Sequence, residues 1–204
     1  LVGLLAGGVW AGAWLLLRGA PGPVRAAVCA AVPWLVTGVM HLDGYMDVCD
    51  AVLSRRDLAT RQRILKDSHC GAFAVICMVL LAMGQWSLFL AAEDVSWLAL
   101  LLIPAATRAC AGLAVLGLRP MASYLEEAVA QCREKIGNGR VLLALSVGLP
   151  LWLDGSFGPL AAAVGYGLAV WYGFRNLDGM SGDISGFALT IGELCGCGAA
   201  ILWR

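Results

Sequence analysis

The chain has 204 residues, of which 60% are hydrophobic and 14% charged, with 14 basic residues balancing 14 acidic ones. A soluble domain carries about 45–50% apolar and about 25% charged residues, so both figures argue against a water-soluble globule, and a disordered chain is excluded. With no net charge and no basic run longer than two, the sequence also argues against a nucleic-acid binder.

Taken in chain order, apolar segments predict helices at 1–17, 24–40, 71–92, 97–118, 141–153, 158–174 and 186–203. A spanning helix needs about 20 mostly apolar residues, and no alternating strand pattern competes. The fifth segment is short, about 20 Å at 1.5 Å per residue, and fits a partial span. Small-xxx-small pairs at Gly3/Gly7, Gly8/Gly12, Gly182/Gly186 and Gly192/Gly196 predict close helix contacts. The expected fold is an all-α polytopic membrane bundle of six to seven spans, one catalytic domain over 1–204. The chain opens on Leu1 inside an apolar run, without Met or a charged leader, which reads as a chain cut at its N-terminus.

Charge orients the bundle. Arg55, Arg56, Arg61, Arg63 and Lys66 lie in the 54–70 loop, Arg119, Arg133, Lys135 and Arg140 in the 119–140 loop, and Arg175 in the 175–185 loop. Seven spans place all three loops on one face, and the positive-inside rule makes that face cytoplasmic. The opposite turns carry Glu93, Asp94 and Asp154, with Arg18 and Arg25 as a minor exception. Within 119–140, Met121, Tyr124, Leu125, Ala128, Val129, Cys132 and Ile136 keep helical spacing. Ser123 with Glu126 forms a capping box and Gly137 and Gly139 a stop, predicting an amphipathic interfacial helix or one packed on the loops. The eight cysteines form no C-x-x-C pair and read as small buried hydrophobes.

The segment from His41 to Asp50 carries the chemistry. Asp43, Asp47 and Asp50 are spaced i, i+4, i+7, within about 60° of one another on a helix. Like charges on one face at a lipid boundary repel, and no Lys or Arg lies in the stripe. Either the carboxyls become neutral or a cation sits between them; oxygen ligands alone point to Mg²⁺, with Mn²⁺ as a substitute, and Mg²⁺ held by few carboxylates also holds substrate phosphates. Asp67 and Asp183, before the third and last spans, are placed to complete the cluster. Gly179 and Gly182 would let the backbone approach a phosphate. Arg108 and Glu193 lie inside apolar runs; they either contact a phosphate or carboxylate or neutralise each other.

His41-x-Asp43-Gly44-x-x-Asp47-x-x-Asp50, then Lys66-Asp67-Ser68-His69-x-Gly71-x-Phe73, then Ser181-Gly182-Asp183-x-x-Gly186 with Gly192-Glu193-Leu194, resembles the cobalamin synthase family, adenosylcobinamide-GDP ribazoletransferases of late vitamin B12 assembly. The resemblance runs from residue 1 to about 203. It implies a Mg²⁺-dependent transferase of the bacterial or archaeal cell membrane, its site facing the cytoplasm. The substrates would be adenosylcobinamide-GDP and α-ribazole or its 5′-phosphate, and the products adenosylcobalamin or its 5′-phosphate and GMP. Metal ligands would be Asp43, Asp47, Asp50 and Asp183. Catalytic roles fall to Asp67, His69, His41 and Arg108, with Asp67 and His69 both candidates for the general base. Substrate contacts fall to Lys66, Gly179, Ser181 and Gly182. The family often has Arg where His69 stands, which leaves a phosphate contact to Lys66 or Arg108. Membrane lipid is an expected partner, nucleic acid is not, and association into a homo-oligomer stays open.

Two other readings compete with this one. A CDP-alcohol-type phosphotransferase also uses helix-borne aspartates, but its D-x-x-D-G-x-x-A-R pattern is broken here by Met46-Asp47, and the later D-x-x-x-D is missing. A cation channel would spread its carboxylates across the membrane depth, whereas these gather at one face.

Overall fold

A computed structural model describes residues 2–121, 126–132 and 136–203. Helices succeed one another as α1 (Val2–Leu16), α2 (Gly22–Val36), α3 (Met40–Leu53), α4 (Leu58–Ile64), α5 (Ala72–Ala91), α6 (Trp97–Gly117), α7 (Glu126–Cys132), α8 (Ile136–Leu153), α9 (Gly158–Leu177) and α10 (Gly182–Leu202). The sole extended feature among the described residues is a bridge between Pro120 and Met180. The all-α membrane bundle is thus as the composition requires. By length and apolarity α5, α6 and α10 can each cross a bilayer, and α2 with α3 passes as a fourth, broken span.

That break departs from the sequence expectation. The second apolar segment does not run straight from 24 to 40. It ends at Val36, and α3 leaves at 90° to α2. Gly38 and Val39 both adopt positive φ, 63° and 57°. Glycine tolerates this, whereas a β-branched residue does so only under tertiary compulsion. Val39 N–H reaches back to the Trp34 carbonyl at 2.9 Å, closing the end of α2. The fifth segment is longer than expected, because Gly137 and Gly139 lie inside α8 instead of stopping a helix before it. The described part of the expected interfacial helix is α7, only seven residues. Ser123 of the capping box lies outside the described residues.

Close contacts explain part of the glycine pattern. A Cβ at Gly3 would sit 2.7 Å from Ala105 Cα, fixing α1 on α6, and one at Gly192 would sit 2.8 Å from the Ala162 carbonyl, fixing α10 on α9. Gly12 and Gly182 meet nothing within 4 Å among the described residues, so those two positions of the small-residue pairs make no such contact there. Two apolar clusters fill the bundle. One gathers Trp10, Trp14, Phe89 and Ile103 from α1, α5 and α6. The other gathers Tyr45, Val48, Tyr166, Ile184 and Phe187 from α3, α9 and α10. Cys29, Cys49 and Cys197 are buried as expected of small hydrophobes, but Cys70 and Cys195 are exposed.

The three basic loops meet at one end. Arg119 donates to Asp178 Oδ1 at 2.6 Å, Arg61 to Asn176 Oδ1 at 3.0 Å, and Gln62 to the Leu177 carbonyl at 2.8 Å. At the other end Arg25 donates to the Ala92 carbonyl at 3.1 Å, Arg18 faces Asp94 at 3.8 Å, and Ser96 bonds to Asp154. Arg18 and Arg25, the two arginines that broke the charge pattern, are therefore matched locally.

Candidate active site

The site begins with the crossing of α3 and α10. Leu42, Tyr45, Val48, Cys49 and Val52 bury one face of α3. Its polar stripe stays open: Asp43 is exposed, and Asp47 and Asp50 are half-buried. A Cβ at Gly44 would stand 2.8 Å from Asp183 Cα, and one at Gly186 would stand 3.2 Å from the His41 carbonyl oxygen. The two glycines let the helices touch backbone to backbone. Ser181 fixes the start of α10, its hydroxyl accepting from Ile184 N–H at 3.2 Å. Asp183 therefore projects from the first turn beside α3, close enough for its charge and those of Asp43 and Asp50 to act on Asp47.

A cavity of about 220 Å³ opens on this stripe, lined by Asp43, Met46, Asp47, Asp67, Ser68, His69, Cys70 and Ala74. His69 Nδ1 and Asp67 Oδ1 are 2.6 Å apart, and His69 N–H donates to the same oxygen at 3.0 Å. The hydrogen bond holds the Asp67 carboxyl below its usual range and pushes the His69 imidazole above the ordinary 6.5. With Nδ1 committed to the carboxylate, Nε2 is the free nitrogen. Asp43 and Asp47 make no hydrogen bond or ion pair with a described residue.

Asp50, expected among the metal ligands, has another job. Its Oδ2 accepts from Gly71 N–H at 2.5 Å and its Oδ1 from Ala74 N–H at 3.0 Å, so it caps α5 across space. A Cβ at Gly71 would collide with that carboxylate at 2.6 Å. Asp50→Ala should lower stability by about 1–3 kcal/mol, the range for losing charged hydrogen bonds at a helix start. Thermal unfolding in detergent checks it, and an unchanged transition would remove the cap from the argument.

Other sequence candidates lie outside the cavity. Arg108 pairs with Glu193, ten residues along α10 from Asp183, or about 15 Å. Its side chain is 14% exposed and that of Glu193 6%. The structure thus favours mutual neutralisation over a substrate contact. His41 lies two residues nearer the bend, its carbonyl accepting from Thr190 at 3.4 Å. Gly179 has φ 150° and abuts Met121, where a Cβ would stand 2.6 Å from Met121 Cα, so it packs against the 119–121 strap that Met180 pairs with. Gly182 is open, and Lys66 is exposed in the loop. The small-residue pattern marked Gly186 for a close helix contact, and the structure supplies it against His41; Gly44 and the Arg119–Asp178 tie had no such signal. Ser68 and Cys70 were visible only as neighbours of Asp67 and His69.

Donor chemistry decides what these residues could hold. Among the described residues, carboxylates share a cavity with no lysine or arginine in its wall, as suits a hard divalent cation. Among the described residues no three His, Cys, Asp or Glu side chains converge enough to enclose an ion unaided. Such a site needs oxygens from outside the chain, and phosphate and water supply them for Mg²⁺.

A sequence model of the family described as cobalamin-5-phosphate synthase matches residues 1–201. Proteins named adenosylcobinamide-GDP ribazoletransferase are similar along the chain. That of Clostridium perfringens strain 13 is 34% identical over 205 residues, covering 96% of this chain and 82% of its own. That of Clostridium botulinum strain Alaska E43 is 33% identical over 217 residues, covering 100% and 84%. That of Thiobacillus denitrificans is 36% identical over 202 residues, covering 92% and 78%. No solved structure matches.

Proposed function

Because the chain belongs to the cobalamin-5-phosphate synthase family, we propose that it joins α-ribazole or its 5′-phosphate to adenosylcobinamide-GDP, giving adenosylcobalamin or its 5′-phosphate and GMP. The observation that carries the reading is one cavity holding Asp43 and Asp47 beside the Asp67–His69 pair.

Asp43 and Asp47, which line the cavity, would hold Mg²⁺ together with phosphate and water oxygens, with Asp183 beside them on α10. The ion would supply charge compensation for the pyrophosphate and the departing GMP. His69 Nε2 takes the proton of the attacking ribose hydroxyl, whose oxygen bonds to the cobinamide-side phosphorus as the bridging P–O bond breaks toward GMP. Asp67 is the positioning residue: it fixes the ring's tautomer and orientation. The Asp67–His69 hydrogen bond supports this assignment of the two candidate roles. Arg55, Arg56 and Arg63, all exposed at the same end, draw in the anionic nucleotide. That end faces the cytoplasm on this reading.

The test is incubation of purified protein with adenosylcobinamide-GDP, α-ribazole phosphate and Mg²⁺. Release of GMP with formation of the joined product supports the reading, and its absence from folded protein overturns it.

The hydrogen-bonded pair also predicts a pH profile. A base must be unprotonated, so turnover rises as His69 loses its proton, at a pH above the ordinary histidine value because Asp67 raises it. In Asp67→Asn that support is gone, and the acid limb of kcat moves to lower pH while the plateau falls. A limb that stays in place in the variant would separate His69 from the proton transfer.

A further inference from the structure

Residues 67–70, which bring His69 to the cavity, are tied at both ends. At the front, Leu65 is buried in the apolar cluster of α3, α9 and α10, and Asp67 N–H donates to the Ile64 carbonyl at 3.0 Å. At the back, Gly71 N–H donates to Asp50. Between these ties Ser68, His69 and Cys70 are exposed. Among the described residues they make no hydrogen bond outside the 67–71 segment.

The rear tie stands on the helix that carries the cavity's carboxylates. Asp50 follows Asp47 by three residues, a rise of about 4.5 Å along α3, and the intrahelical hydrogen bonds keep that rise fixed. We propose that Asp50 is a positioning residue of the reaction. By holding Gly71 it keeps His69 at the cavity wall that Asp43 and Asp47 share, at a spacing that α3 sets. The proposal rests on the reaction put forward above and gives Asp50 no place in the ion's coordination.

Both oxygens of Asp50 are engaged, one by Gly71 N–H and the other by Ala74 N–H, and Ala74 itself lines the cavity. The charge of Asp50 is met by the N-terminal dipole of α5 instead of by a cation. Gly71 has the residue type this contact demands. Its φ of −90° suits any residue, but a Cβ there would stand 2.6 Å from both carboxylate oxygens. The glycine therefore serves the carboxylate and not the backbone. A separate contact holds α3 to α5: Tyr45 donates to the Cys77 carbonyl at 3.2 Å, well past the first turn of α5. Losing the Asp50 bonds frees that first turn and the segment before it, while the rest of α5 stays docked.

The test uses the full chain in detergent, below its thermal transition. It measures alkylation of Cys70 by a water-soluble maleimide, read at that cysteine by peptide mass spectrometry, with Mn²⁺ affinity by electron paramagnetic resonance and GMP release alongside. Two variants disturb the tie. Asp50→Asn loses one acceptor oxygen at equal size, and Gly71→Ala pushes the segment off an intact carboxylate. In both, Cys70 should react about five-fold faster or more, as a segment released to local opening does. Their kcat should fall about ten-fold, the cost of a misplaced catalytic group, with Mn²⁺ affinity as in wild type. Tyr45→Phe, which weakens the separate contact, should keep wild-type values in all three measurements. If Mn²⁺ affinity falls in Asp50→Asn as it does in Asp47→Asn, Asp50 is a ligand and the proposal is overturned. It is overturned equally if Cys70 reactivity and kcat stay at wild-type values in both tie variants, or if Tyr45→Phe raises Cys70 reactivity as much as they do. Absence of GMP release from wild-type protein counts against the reaction, and Cys70 reactivity with Mn²⁺ affinity still decides what Asp50 holds.

Discussion

Asp47→Asn should lower product formation by about 100- to 1000-fold at saturating Mg²⁺, the rate equivalent of several kcal/mol of charge stabilisation at a phosphoryl group. Asparagine keeps the size and one oxygen of aspartate, so the α3–α10 crossing at Gly44 is undisturbed. What disappears is one negative charge from a cavity whose wall, among the described residues, holds no lysine or arginine to compensate it. If the carboxylate holds the ion, the variant needs much more Mg²⁺, and Asp43→Asn behaves the same way because it faces the same space. Asp50→Ala belongs to a different class, losing stability before it loses rate. The measurement is GMP release against Mg²⁺ concentration for the three variants, with thermal unfolding alongside. Near-normal turnover in Asp47→Asn would take that residue out of metal binding.

The contrast between Asp47 and Asp50 marks how far the sequence could be read. Helical spacing alone put Asp43, Asp47 and Asp50 on one stripe, and α3 has that stripe. Spacing treats the three alike. The start of α5 comes down over Asp50 and takes both its oxygens, and no local pattern encodes that approach. Gly186 was legible as a close-contact position but its partner Gly44 was not, because a chain with 26 glycines offers many pairings. The bend at Gly38 and Val39 was hidden for a related reason. An apolar run reads as continuous, and a positive φ at a valine follows from what packs around it. The Asp67–His69 pair is local, two residues apart, and could have been read as a hydrogen-bonded turn. The two-ended arrangement was legible because charge counting needs no tertiary detail.

Glu193→Ala should cost about 3–5 kcal/mol of stability, the range for stripping one partner from a buried ion pair. Arg108 would then keep its charge on α6 with 14% exposure and no counterion. Its Nε and Nη2 have no hydrogen-bond partner among the described residues, so the lost carboxylate leaves Thr107 and the Pro104 carbonyl as its remaining contacts there. Replacing both residues with apolar ones of similar volume, Arg108→Met with Glu193→Leu, removes the charge and its counterion together. That double variant should unfold near the wild-type temperature, because an apolar pair avoids the desolvation cost that the ion pair only offsets. The same variant decides between the two roles the sequence left open for Arg108. Ten residues of α10 separate the pair from Asp183, so a structural pair predicts GMP release close to wild type. A double variant that folds with the wild-type transition but cannot turn over would return Arg108 to the substrate.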